Sequence, residues 1–297
     1  MSNNTTTVEQ SNSSAILPMQ CYMPPLLVSF SGGRTSAFMA KFLKEQYKGK
    51  REMLFLFANT GKEKEETLIF VNKCDKEFDL NLVWLEADVN EEKGKGTTYK
   101  IVDFETASRN GEPFEAVIKK YGLPSKLYRH CTRELKENPI HKYAKEILGS
   151  EYLTALGIRA DEKHRLKTNS KNIYPLAEIG VDEVFIRNWW KRQDFDLGIK
   201  DYEGNCDLCF LKSTRKKLTL ISENTNIVDW WNEMEEKYSS TYQSKFDEIR
   251  NLSIIDLVEL AKQPFRKAID KEEQREQMPQ LFEPEFDLEY DCFCKSV

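Results

Sequence analysis

The sequence predicts an α/β protein: a parallel sheet flanked by helices, followed by a helical, cysteine-containing C-terminal region. Three observations predict it: apolar runs at residues 26–30, 53–58 and 82–85, turn residues closing the first two, and helical spacing between the runs. A β-α-β-α-β order of this kind gives parallel strands covered by helices, with ligands at the carboxyl ends of the strands.

The first run ends at Phe30, turns through Ser31, Gly32 and Gly33, and leads into helical spacing at Phe38, Met39, Phe42 and Leu43. The second is followed by Asn59, Thr60 and Gly61 and then a charged helix with Leu68, Ile69, Val71 and Phe78 inward. The loops after Phe30, Ala58 and Leu85 are expected on one face. Residues 89–112, rich in Lys, Glu, Gly and Thr, read as a long loop, and Pro113 opens a helix that stops near Gly122. A helix to about Leu148, a fourth strand over residues 152–156 and a loop over residues 157–165 come next. Beyond Asp182 the pattern is helical and aromatic, with tryptophan pairs at 189–190 and 230–231 expected in the core. Ser253 is placed to cap a helix through Leu260.

The chain of 297 residues is 40% hydrophobic and 31% charged, enough to bury a full core. Its net charge of -5 argues against a protein that coats nucleic acid, while leaving room for a local basic patch. Residues 1–14 are mostly Ser, Asn and Thr, with no apolar signal run, and no later stretch is long enough to span a bilayer, so a cytoplasmic protein is expected. Three segments follow: a disordered tail at 1–22, a nucleotide-binding α/β domain at 23–203 and a helical region at 204–297. In a reducing compartment, seven cysteines grouped as Cys206-x-x-Cys209 and Cys292-x-Cys294 point to metal rather than disulfides. Cys21 and Cys74 fall outside those pairs and read as structural.

Ser31-Gly32-Gly33-Arg34-Thr35-Ser36, between a buried strand and a helix, is a candidate phosphate turn. Its glycines let N–H groups face an anion, the hydroxyls add donors, and the helix N-terminus adds its positive end. The Gly-Lys-Ser/Thr ending of a Walker A loop is missing. Arg159 and Arg165 are guanidinium forks suited to phosphate or sulfate oxygens, and Lys136 is a mobile point charge. The alternative is pairing with Asp161, Glu162 or Glu63 on a solvated face. Glu63 and Glu162 are candidate Mg²⁺ ligands beside the phosphates. The basic run at 212–217 reads as a solvated helix face, and His141 and His164 as packing or surface residues.

The Ser-Gly-Gly-x-Thr-Ser turn resembles the PP-loop of the adenine nucleotide alpha-hydrolase superfamily, of the HUP/PP-loop fold type. Four further segments resemble the phosphoadenosine phosphosulfate (PAPS) reductase branch. Asn59-Thr60-Gly61-Lys62-Glu63, with Glu66-Thr67, resembles the second-strand loop that contacts adenosine in that branch. Cys131-Thr132, Leu135-Lys136 and Pro139 resemble its Cys-Thr-x-x-Leu-Lys-x-x-Pro motif. Gly157-Ile158-Arg159-Ala160-Asp161-Glu162 resembles its Gly-x-Arg-x-x-Glu loop, and Cys206 with Cys209 its late Cys-x-x-Cys. The resemblance implies a bound adenine nucleotide, ATP or PAPS, with Arg34, Asn59, Thr60, Gly61, Glu63, Arg159, Glu162 and Arg165 around it.

Cluster-bearing members hold a [4Fe-4S] centre on a Cys-Cys pair and a later Cys-x-x-Cys. Cys131, Cys206 and Cys209 match three of those places, and Thr132 stands at the fourth. Cys292 or Cys294 would then be the missing ligand, or one iron would stay open. A zinc ion on Cys206, Cys209, Cys292 and Cys294 and unmetallated thiols are the other readings. Candidate catalytic residues are Cys131 and Cys294 as nucleophiles and Lys136 and Arg159 as cations. The reductases carry a C-terminal Glu-Cys-Gly-x-His motif, where this chain has Asp291-Cys292-Phe293-Cys294. Two reactions follow from the resemblance: sulfonucleotide reduction with a thiol carrier, or ATP pyrophosphatase chemistry that passes sulfur to an acceptor such as a nucleic acid. A non-catalytic nucleotide-binding protein with structural zinc is the third reading.

Overall fold

A computed structural model describes residues 23–273, apart from residues 93, 126–127, 169–170, 243–244, 248–249 and 272. Six strands, β1 (Leu26–Phe30), β2 (Met53–Asn59), β3 (Val83–Asp88), β4 (Thr98–Val102), β5 (Leu153–Ala155) and β6 (Asn172–Ile173), form one sheet in the order β4-β3-β2-β1-β5-β6. All neighbours run parallel except β4, which pairs antiparallel to β3. The mostly parallel, helix-flanked sheet is the α/β architecture expected from the sequence.

The apolar runs follow from burial on both faces. Leu26, Val28 and Phe30 of β1 pack into one cluster with Ala37, Met39, Leu68 and Val71, whereas Leu27 packs with Leu56, Leu85, Ile140 and Ala144 in another. The first cluster is covered by α1 (Arg34–Tyr47) and α2 (Glu65–Phe78). After α3 (Glu112–Tyr121) comes a π-helical segment, Cys131–Glu137, which continues as α4 (Asn138–Leu148) and supplies Ile140 and Ala144. The short α5 (Pro175–Glu178) and α6 (Glu183–Trp190) follow β6.

A third cluster joins α3 to the C-terminal helices α7 (Thr214–Glu223), α8 (Asp229–Tyr242) and α9 (Ile254–Ala261), with Phe114, Leu218, Trp231 and Ile254 at its centre. Ser253 caps α9 through a full capping box with Asp256, as the sequence indicates. Trp190 and Trp231 are core residues.

The structure corrects the expected loop over residues 89–112, because it contains β4. An edge strand solvated on one side needs no continuous apolar run, and the exposed Ile101 and Lys100 disguise it. No helix among the described residues is long and apolar enough to cross a membrane.

Candidate functional site

At the carboxyl end of β1 the chain reverses at Gly32, whose φ is +82°. A Cβ there would stand 2.8 Å from Thr67 Cγ2 and 3.3 Å from the Phe57 ring, so the position excludes any side chain. Gly33 then caps α1 in an extended conformation with no side chain to occupy the helix N-terminus. Ser36 closes the turn from inside. Its Oγ donates to Gly33 O at 2.9 Å and accepts from Ser31 N at 3.2 Å and Ser31 Oγ at 3.0 Å. Gly157 lies against this turn, since its Cβ would come 3.1 Å from Ser36 Cα. The glycine of the Gly-x-Arg loop and the threonine of the Glu66-Thr67 pair are thus explained by packing onto the phosphate turn.

Gly33, Arg34 and Thr35 line a cavity, and Arg159 forms part of its wall. The Arg159 fork donates to both oxygens of Asp161 at 3.0 Å, and its Nη1 reaches Thr35 Oγ1 at 3.4 Å. Burial alone would lower its pKa, but Asp161, Glu162 and Glu183 outweigh that and raise it, so the guanidinium keeps its charge. Glu162 accepts from Arg159 N at 3.0 Å and from Arg165 Nη1, which shapes the 159–165 loop. Arg34 points across the cavity rim to Asp196, at 2.6 and 2.7 Å.

The second-strand loop is held by buried groups. Asn59 donates to Glu86 Oε1 at 2.7 Å and to Ser108 O at 2.8 Å, and its Oδ1 accepts from Gly61 N at 3.2 Å. Glu63 accepts from Thr60 N at 2.8 Å and Thr60 Oγ1 at 2.7 Å, and pairs with Lys136 Nζ at 3.4 Å. Lys136, Arg159 and Arg165 therefore all face the carboxylates named as their alternatives, though within a buried site and not on a solvated face.

The cysteine segment docks directly on this loop. Glu63 and Cys206 form an antiparallel bridge, with Lys64 N donating to Asn205 O at 2.8 Å and Asp207 N to Lys62 O at 3.0 Å. Asn205 Nδ2 reaches Ser31 O of the phosphate turn at 2.7 Å. Cys206 Sγ lies 4.0 Å from Glu63 Oε1. Cys131, Cys206 and Cys209 all border the third apolar cluster, yet among the described residues no three His, Cys, Asp or Glu side chains converge as a metal ion requires. Cys292 and Cys294 lie outside the described residues. Cys74 is structural, as expected, and burial pushes its thiol pKa up.

The basic run corrects the sequence reading most. Lys212 and Lys217 are 4% and 1% exposed, not on a solvated face. Lys217 pairs with Asp247 at 2.8 Å, whereas Lys212 Nζ donates to the carbonyls of Cys206 at 2.6 Å and Asp207 at 3.3 Å. Lys212 lines the same cavity as Arg159, together with Lys200, Lys216 and Arg187. Its only sequence signal was proximity to Cys209. His130, next to Cys131, has its pKa lowered by burial and then by Arg133. His141 is a packing residue, with Nδ1 3.2 Å from the Tyr152 hydroxyl.

Residues 25–109 match the phosphoadenosine phosphosulfate reductase domain. The uncharacterized nin region protein ORF290 of Escherichia phage lambda is 38% identical over 195 residues, which is 64% of this chain and 67% of the phage protein. Two uncharacterized proteins of Methanocaldococcus jannaschii, MJ0066 and MJ0973, are 27% and 29% identical over 164 and 159 residues, 54% and 50% of this chain. The chain spans only 29% and 32% of those archaeal proteins' length. The matched domain contains the phosphate turn and the second-strand loop, and the phage relative extends the likeness over most of the chain, so this chain belongs to the phosphoadenosine phosphosulfate reductase family, within the PP-loop class of α/β proteins.

Proposed function

We propose that this chain is an enzyme that binds an adenine nucleotide at the β1 turn and uses it in sulfur-related adenylyl transfer. The observation that carries the reading is the cavity itself. The first turn of α1 opens into it, and its walls carry Arg159, Arg187, Lys200 and Lys212 against the acidic Glu183 and Asp201. That field suits a polyphosphate. An acceptor oxygen attacks the α-phosphorus of ATP, the bond to the bridging oxygen breaks, and pyrophosphate leaves toward the cations. A hydrosulfide sulfur then displaces AMP from the adenylated acceptor, forming the carbon–sulfur bond as the carbon–oxygen bond to AMP breaks. Lys212 is suited to the leaving oxygens, because an ammonium has three donors and the two backbone carbonyls use two.

Cys131 favours a second reading. It is a half-buried thiol five residues before Lys136 in the π-helical segment. Its thiolate attacks the sulfur of the PAPS sulfonate, an S–S bond forms, the S–O bond breaks and the nucleotide bisphosphate leaves. A thiol carrier then releases sulfite by attack on the new bond. Calorimetric titration with ATP and with PAPS, followed by assays for AMP with pyrophosphate and for thiol-dependent sulfite, separates the two. Binding of neither nucleotide would end both.

A metal centre on Cys131, Cys206, Cys209 and one of Cys292 or Cys294 belongs to the same proposal, with Mg²⁺ as a nucleotide-borne ion. Anaerobic quantification tests it. About four irons and four sulfides per chain, lost in C206A, support a cluster. One zinc that C131A leaves in place supports a structural clip.

A further inference from the structure

We propose that the surface at Tyr128 is a stacking platform for the bases of a single-stranded nucleic acid, the acceptor in the chemistry above. Tyr121, His130 and Tyr128 form a ladder of near-parallel rings. Tyr121 and His130 stack with centroids 5.2 Å apart at 19°, and Tyr128 and His130 at 6.0 Å and 7°. Tyr128 ends the ladder and is 61% exposed. Tyr128 is tied to Ser125 by two hydrogen bonds: Tyr128 N donates to Ser125 Oγ at 3.1 Å and Ser125 N to Tyr128 O at 3.0 Å. A large aromatic ring held in solvent beside two parallel rings offers a π-face of the kind that unpaired bases extend.

The charges around the ladder complement phosphate. Lys120 Nζ, held by the carbonyls of Asn90 and Lys95, lies 5.2 Å from the Tyr121 ring centroid, and the exposed Arg133 guanidinium lies 5.4 Å from it while pairing with Glu134 at 2.6 Å. Cations at the Tyr121 end of the ladder and an exposed ring at the Tyr128 end suit a single strand, whereas a duplex hides its base faces. The patch is local, in keeping with a net charge of -5, so few phosphates are engaged and affinity falls with salt accordingly. Position gives it a role. Cys131 follows His130 directly, and Lys136 of the same helical segment reaches Glu63 in the second-strand loop at 3.4 Å.

The acceptor's role rests on the proposed adenylyl chemistry; the binding does not. The test is fluorescence anisotropy of the full chain with a labelled single-stranded DNA 20-mer, its RNA counterpart and the duplex, alongside calorimetry with ATP. We expect single strands to bind more tightly than duplex. Y128A is expected to weaken single-strand binding about tenfold, as loss of one stacked base implies, with Y128F within about twofold of the parent and ATP affinity unchanged in both. No single-strand binding, equal affinity for duplex, or an unchanged Y128A would overturn the proposal. Weakened ATP binding by Y128A would also overturn it, because the ring would then hold the nucleotide's own adenine. Oligonucleotide binding that persists while ATP fails to bind would refute the nucleotide reading alone.

Discussion

The two walls of the cavity hold their cations differently. On the strand-end wall Arg159 is forked onto Asp161, two residues along its own loop; outside the cavity lining, Lys136 pairs with Glu63 of the second-strand loop. On the wall built by the cysteine segment, Lys212 has no carboxylate partner among the described residues and sits on two carbonyl oxygens. A carboxylate cancels most of a cation's field at a distance, whereas carbonyl dipoles solvate an ammonium without removing its charge. Arg159 therefore fixes the shape of the site, and Lys212, unlike Arg159 and the carboxylate-paired Arg187, keeps its charge available to phosphate.

The largest effect is expected where the first wall depends on backbone alone. G32A places a Cβ 2.8 Å from Thr67 Cγ2 at a φ of +82°, combining overpacking with a left-handed conformation. The two costs together come to about 2–5 kcal/mol. We expect ATP binding to fall below detection in calorimetry. G32A with T67S, which removes the clashing methyl, should regain part of the stability and little of the binding. Full recovery would show that the turn tolerates side chains and that its conformation does not set the site.

K212A tests the second wall. The change leaves the carbonyls of Cys206 and Asp207 without their donor, at a cost of about 1–3 kcal/mol in denaturant unfolding. Nucleotide affinity should drop at least tenfold and lose part of its salt dependence. For comparison, R165A, whose partner is Glu162, should change affinity by less than K212A does. The reverse ranking would invert the assignment of roles to the two walls.

The difference in legibility between the walls has the same origin. Gly32, Ser36 and Gly157 act through local backbone geometry and close approach, and these are constraints that a short motif writes into consecutive residues. The strands β1, β2 and β3 were legible because burial on both faces demands unbroken apolar runs. Lys212 and Arg187 reach the cavity only through long-range packing, and nothing in their neighbours distinguishes a buried lysine from a solvated one. Edge strand β4 was hidden for the opposite reason: half of it needs no apolar residues. The pairing of Arg34 with Asp196 spans 162 positions and has no sequence signal at all.

The ion-pair network that joins Arg159 to Arg187 and Lys271 through Glu183 gives a pH signature. Burial alone would raise the Glu183 pKa, but Lys271, Arg187 and Arg159 outweigh it and hold the carboxyl below the ordinary value. The unfolded chain then binds more protons than the folded one as the pH drops. The stabilisation is complete above the unfolded pKa of about 4.3 and is lost as pH falls through the folded value. Urea unfolding at pH 7 and at pH 4 should show E183Q losing less stability than the parent over that interval. Equal losses would remove Glu183 from the network's account.

The smallest effect is expected where the walls touch at the rim. The Arg34–Asp196 pair is bidentate at 2.6 and 2.7 Å, but its side chains are 23% and 42% exposed. Exposed pairs of this kind contribute about 0–1 kcal/mol, so D196N should barely move the unfolding midpoint. Its consequence lies in binding. With the carboxylate gone, the Arg34 fork can turn from the rim toward the nucleotide phosphates, adding a cation to the wall that has its other cations paired. ATP affinity should rise by about two- to fivefold at low ionic strength and return to the parent value in high salt, where screening shortens the reach of the charge. A fall in affinity would mean that Asp196 holds Arg34 where the nucleotide already uses it, and that the rim belongs to the shape of the site and not to its field.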